Sequence, residues 1–152
     1  MNEHEYDIHP IGAVRREGDK AVVYINAEFR EALLGLEEFS HVYVLWWADR
    51  HDNSESRAVL QCKPPYADGR TMGIFATRAE YRPNPVAFTV CKIEHVDATE
   101  GRLVVNNIDA LDETPVLDLK PYYPVCDRVK QARIPDWLSD WPDWWPKEGF
   151  GL

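Results

Sequence analysis

At 152 residues, with 45% hydrophobic and 12% aromatic side chains, the chain can bury roughly two thirds of its unfolded surface in one domain, which excludes a disordered protein. Its net charge of −9 excludes a general polyanion binder, and no apolar run approaches the roughly 20 residues of a membrane span. Three widely spaced cysteines (Cys62, Cys91, Cys126) and five scattered histidines match no zinc spacing, so reduced thiols in the cytoplasm and no metal site are expected.

The N-terminus is acidic and lacks the basic and apolar regions of a signal peptide. Residues 6–14 read as an edge strand, because Pro10 removes a donor. Residues 15–20 read as a charged turn and 21–25 as a β-branched strand. Asn26 is placed to cap a short helix, with Phe29, Ala32, Leu33 and Leu36 at helical spacing and Gly35 near its end. Residues 41–47 are apolar almost throughout, as in a strand covered on both faces. Residues 49–69 read as one long loop. Two strands are expected at 73–77 and 86–93, joined by a stiff corner in which Pro83 and Pro85 hold Arg82 and Asn84 extended. A turn at 97–101 leads to a strand at 102–108, then to a polar stretch from 109 to 122. The tail from 123 is rich in proline and tryptophan, and 134–141 has room for one helical turn or two. Many short strands without βαβ alternation predict a mainly β protein, a small single-domain β-barrel with short peripheral helices. The chain shows no internal repeat and no interdomain linker.

Charge is uneven. Between Gln61 and Lys92, five basic residues (Lys63, Arg70, Arg78, Arg82, Lys92) face two acidic ones, so an anionic ligand should go there. Arg78 and Arg82 on the corner read either as displayed functional groups or as solvated turn residues. Asp109, Asp112 and Asp118 cluster near Lys120; a carboxylate beside a fixed cation keeps its charge and accepts hydrogen bonds, but such residues also build ordinary turns. His41 opens an apolar strand, where a histidine is more often structural than catalytic. The tail indoles can stack on bases or staple the tail onto the body or onto a partner subunit. No phosphate loop, dinucleotide fingerprint or nucleophile elbow is present.

Two stretches together resemble one family: Gly73-Ile-Phe-Ala-Thr-Arg followed by Arg82-Pro-Asn-Pro, and Asp109-Ala-Leu-Asp-Glu-Thr-Pro-Val-Leu-Asp-Leu-Lys-Pro-Tyr. With Ile11-Gly12-Ala13-Val14 and residues 33–45, they are similar to the TsaA-like family, whose characterised members are the TrmO tRNA methyltransferases. The resemblance covers about 6–124 of a single 1–152 domain and leaves the tail, 125–152, outside it. It implies a small β-barrel that binds S-adenosyl-L-methionine (S-adenosylmethionine) and forms a cytoplasmic homodimer with the cofactor near the subunit interface. It implies methylation of the exocyclic nitrogen of threonylcarbamoyladenosine in tRNA. Cofactor contacts are expected at Asp49, Arg50, Arg78, Phe88, Asn106, Asn107, Ile108 and Asp109. Substrate contacts are expected at Arg82, Asn84, Lys120 and Tyr122. The proton acceptor is expected among Asp112, Asp118 and His41, with the carboxylates favoured. Ala87 and Glu113 stand where the family has glycine, Asp49-Arg50 where it often has His-Gln, and the N-terminal cofactor loop is shortened between Arg15 and Lys20. The other readings are a methyltransferase for a small molecule or protein, and a non-catalytic cofactor-binding module.

Overall fold

The computed structural model describes residues 3–146, so the outermost ends of the expected domain and tail lie outside the described residues. Six strands close a barrel: β1 (Gly12–Glu17), β2 (Lys20–Ile25), β3 (His41–Trp47), β6 (Val86–Asp97), β7 (Arg102–Val105) and β8 (Pro115–Pro121). Their order around the barrel is β1-β2-β7-β6-β3-β8, and every pair is antiparallel, including the seam of β8 onto β1. Closure removes the free sheet edges of the expected mainly β protein. A two-residue ribbon, β4 (Gln61–Cys62) with β5 (Met72–Gly73), stands apart from it.

Side-chain alternation places the core. In β3, Val42, Val44 and Trp46 point inward and are buried, while His41, Tyr43, Leu45 and Trp47 point outward and are half-buried. Val14, Val23, Ile25, Cys91, Leu103, Val105 and Val116 complete the interior from the other strands. Gly12 is required where β1 meets β2: a Cβ there would stand 1.9 Å from the Tyr24 carbonyl oxygen. β6 bends at a bulge between Ile93 and His95. Asn106 covers the irregularity, since its Oδ1 accepts from the Lys92 amide at 2.9 Å and its own amide donates to the Lys92 carbonyl.

Several expected elements differ. The strand at 73–77 is a 3-10 turn, Ile74–Ala76, after a two-residue strand. Among the described residues it pairs only with β4, which is two residues long, and the turn buries Ile74 while leaving Phe75 81% exposed. The Thr77 hydroxyl closes it by donating to the Ile74 carbonyl at 2.8 Å. The long loop at 49–69 holds a 3-10 turn (Asp49–His51), helix α1 (Ser54–Arg57), β4 and a second 3-10 turn (Pro65–Ala67). Asn53 caps α1 by accepting from the Ser56 amide at 2.8 Å. The first strand begins only at Gly12, beyond Pro10, and the turn to β2 takes just two residues, with Gly18 left-handed. The helix after Asn26 is 3-10, Ala27–Leu33, and the Asn26 side chain reaches the Pro10 carbonyl instead of capping it. β7 ends at Val105 because the chain turns left-handed at Asn107. A short α2 (Pro124–Asp127) and one 3-10 turn (Asp136–Leu138) occupy the tail. Among the described residues, no helix is long and apolar enough to cross a membrane.

Candidate functional site

The proline corner is rigid for more reasons than its prolines. Arg82 folds back and donates to the carbonyls of Thr77 and Ala79 at 3.0 and 3.1 Å, so its guanidinium holds the loop together. The Asn84 side chain accepts from Arg57 at 3.2 Å, and the Pro85 carbonyl accepts from the Ala48 amide at 2.8 Å. The corner is thereby tied to both ends of the 48–57 segment. Arg78 takes no part in this scaffolding. Its guanidinium lies 4.7 Å from the centroid of the Phe88 ring, on β6 just beyond the corner. A planar cation is thus presented on an aromatic face at one known place.

A second loop, after β7, carries Asn107, Ile108 and Asp109. Asn107 is left-handed, with φ of 58°, and Ile108 is buried, which anchors the loop to the core. Arg16 locks it from β1: its Nη2 donates to the carbonyls of Ile108 and Ala110, the latter at 2.7 Å. The Arg16 amide in turn donates to Asp112 Oδ1 at 2.8 Å. Asp109 keeps its tip in solvent, yet the surrounding wall desolvates the carboxyl and raises its pKa, with Arg16 opposing the shift. The same Arg16 and Asp109 flank Cys91, whose buried thiol is pushed up to about 12, chiefly by burial.

His41 stands at the start of β3 with its Nδ1 2.7 Å from Ser40 Oγ. Burial first, and the charge of Lys92 second, hold its pKa below the ordinary imidazole value. Around it runs a row of rings on the outer face of the barrel. Phe88 and Tyr43 are 6.0 Å apart between centroids, Tyr43 and Tyr122 5.8 Å, Tyr122 and His41 6.3 Å, and His41 and Trp145 5.4 Å.

These parts open onto one cleft of about 1270 Å³. Of the expected cofactor residues, it gathers Arg78, Phe88, Asn107 and Asp109; of the expected substrate residues, Arg82, Asn84 and Tyr122. His41 lines it too. Asp49 and Arg50 lie outside its lining, exposed on the turn after β3. Asn106 and Ile108 support the cleft from behind through the bonds described above. Asp112 is engaged on the Arg16 amide, and Asp118 pairs with Lys120 at 3.1 Å. Lys120 borders a second, smaller hollow beside Tyr43 and Asp127. Sequence reasoning missed Arg16, whose partners are carbonyls and leave no pattern in a sequence. It also left open where the tail indoles go: Trp137, Trp141, Trp144 and Trp145 all line the cleft. Their density in the tail was the available signal. Among the described residues, no three His, Cys, Asp or Glu side chains gather as a metal site.

Comparison with known proteins bears on the same segments. The family model of the tRNA-methyltransferase O N-terminal domain matches residues 4–128. A putative S-adenosylmethionine-dependent methyltransferase, RcsF, of Pseudomonas aeruginosa is 47% identical over 68% of this chain and 43% of its own length. A tRNA (adenine(37)-N6)-methyltransferase of Mus musculus is 41% identical over 66% of this chain and 22% of its own. The crystal structure of TrmO from Pseudomonas aeruginosa superposes with a TM-score of 0.65 at 33% identity, over 86% of this chain and 62% of that one. The chain thus spans less than half the length of these two curated relatives.

Proposed function

The chain belongs to the tRNA-methyltransferase O N-terminal domain family, and from that premise we propose that it is an S-adenosylmethionine-dependent methyltransferase that N-methylates threonylcarbamoyladenosine in tRNA. The observation that carries this reading is the meeting of Arg78 on Phe88 with Asn107 and Asp109 in one cleft. The donor set fits the cofactor's chemistry. A guanidinium fork suits a carboxylate, an aromatic ring suits an adenine, and a carboxylate suits ribose hydroxyls or an ammonium group. The cleft is also ample for a ligand of that size.

When bound, the cofactor supplies a methyl group already activated on a sulfonium, which leaves as a thioether with the bonding pair. Arg78 and Asp109 then serve to hold and orient, and positioning is the main work left to the protein. The acceptor nitrogen gains the methyl carbon and must give up a proton. Of the three expected proton acceptors, His41 is supported best. It lines the cleft, whereas Asp112 and Asp118 are engaged on an amide and an ammonium. Its lowered pKa leaves it neutral and able to accept. The protein acts as a homodimer in the cytoplasm on this reading, supported by the family resemblance and by large apolar side chains left in solvent at Leu34, Phe75 and Val125.

The test is direct. Calorimetry should show S-adenosylmethionine binding in the micromolar range, on the order of −8 kcal/mol. Arg78→Ala should weaken it by roughly 1.5–3 kcal/mol. Label from the cofactor methyl should enter tRNA carrying threonylcarbamoyladenosine. Absence of cofactor binding, or label entering a metabolite or protein instead, would overturn the reading.

A further inference from the structure

The C-terminal strap, from α2 to residue 146, has no role in the cofactor reading. It is fastened to the corner side of the cleft at two points. Trp141 packs edge-on against Tyr66 at 5.2 Å, and the Arg70 guanidinium lies 4.9 Å from the Trp137 ring centroid. Leu138 is buried between them in sequence. Past these anchors the strap stops burying its rings. Trp144 leaves 65% of its surface in solvent and Trp145 43%, although both line the cleft. Neither position satisfies the usual fate of an indole, which is burial.

Two further observations point to what covers them. First, the cleft exceeds the roughly 300–1,000 Å³ of a single small-ligand site, and Arg78, Phe88, Asn107 and Asp109 account for only part of its wall. The rings of Trp145, His41 and Tyr122 line a further part of that wall and offer aromatic surface for a second planar group. Second, although four aspartates (Asp127, Asp136, Asp140, Asp143) outnumber them over the whole strap, its three cations are clustered in one stretch, 128–133. Arg128, Lys130 and Arg133 follow one another with no acidic residue between them, and none forms an ion pair among the described residues. The Arg128 guanidinium lies 4.3 Å from the Trp144 ring centroid, which steadies an otherwise exposed indole next to a cation. An aromatic face beside a cation at the mouth of a cleft matches an unstacked base and its phosphate.

We propose that this strap is the RNA-recognition element of the site: Trp144 and Trp145 stack bases of a single-stranded tRNA loop at the cleft, and Arg128, Lys130 and Arg133 neutralise its phosphates. The inference rests on the tRNA reading above and deepens it. It also moves the RNA contact away from the basic 61–92 segment, where Arg70 pairs with Asp68 and donates to the Ala67 carbonyl, and Arg82 donates to the carbonyls of Thr77 and Ala79.

The experiment measures fluorescence anisotropy of a labelled anticodon stem-loop carrying threonylcarbamoyladenosine, alongside calorimetry with S-adenosylmethionine and methyl transfer to the same RNA. Trp144→Ala should weaken RNA binding about fivefold or more, and Trp144→Phe should restore most of it. The triple variant R128Q/K130Q/R133Q should lower the salt slope by about 2. Cofactor affinity should stay unchanged in all three. RNA affinity and salt slope equal to wild type would overturn the strap's role. So would cofactor affinity lost in parallel, or a dimer dissociated with RNA binding intact. Wild-type protein that binds cofactor but neither binds nor methylates the stem-loop would instead remove the tRNA reading, and the strap's role with it.

Discussion

Glu113 occupies a position where the backbone asks for glycine. Its φ is 68°, in the left-handed region, while its amide donates to the Val14 carbonyl at 2.8 Å and so keeps the turn in place. A side chain there costs about 1 kcal/mol. Glu113→Gly should therefore raise the denaturation midpoint in urea, even though it removes the solvent-exposed contact with Arg15. An unchanged or lowered midpoint would show that the turn is unstrained. His41 gives a second prediction. Because its folded pKa lies below its ordinary value of 6.5, the folded state holds fewer protons than the unfolded one in the window between the two. The stability it contributes is complete above 6.5 and falls as pH drops through 6.5 toward the lowered folded value. Activity should follow the same sense, rising through the lowered pKa to a plateau. His41→Gln should reduce turnover and remove that acidic limb; a variant that keeps both the rate and the limb would dismiss His41 as the base.

Elements with a hydrophobic repeat were legible before the structure was known. The apolar alternation in β2 and the run in β3 mark them as strands, and the size alternation after Pro85 marks β6. What stayed hidden was short or held by carbonyls. α1 is four residues long, below any periodic signal, and depends on a single Asn53 cap. The start of the loop after β7 reads in the sequence as three more strand residues, 106–108, because nothing in Asn106-Asn107 announces that one mimics the ladder and the other leaves it. Half of the site was legible through Arg78 and Phe88; the other half depends on Arg16, two strands away in the barrel order from β7. That dependence is testable. Arg16→Ala removes two donors from the carbonyls that fix Ile108 and Ala110, each bond contributing about 0.5–1.5 kcal/mol. Cofactor affinity should fall roughly tenfold while the barrel stays folded by circular dichroism. Undiminished affinity would mean that the loop holds its shape unaided.

Over the whole molecule, the −9 charge and the three clustered cations Arg128, Lys130 and Arg133 act in opposite senses. On the tRNA reading proposed above, long-range repulsion slows encounter with RNA and a few local contacts supply the affinity, so the salt dependence should stay shallow. The tail reading divides in the same way. Tyr66 and Arg70 staple it to the β4–β5 loop of its own chain, so its first half is spoken for within one chain. The homodimer proposed above would then be built from surfaces outside those anchors. Light scattering should give a dimer mass that survives Trp137→Ala, whereas a monomer mass at every concentration would reject the dimer.

The seam of the barrel has a consequence for how the protein is made. Strand β1 is synthesised before the other strands of the barrel, and its Gly12 and Ala13 pair with Val116 and Pro115 at the start of β8. Contacts so distant along the chain close slowly, since the loop entropy is lost before the pairing is gained. The β1–β2 hairpin can form as it leaves the ribosome, but one side of β1 and one side of β3 wait unpaired until β8 arrives. Premature termination before β8 therefore leaves an open sheet with two hydrogen-bonding edges, a nascent chain primed to aggregate.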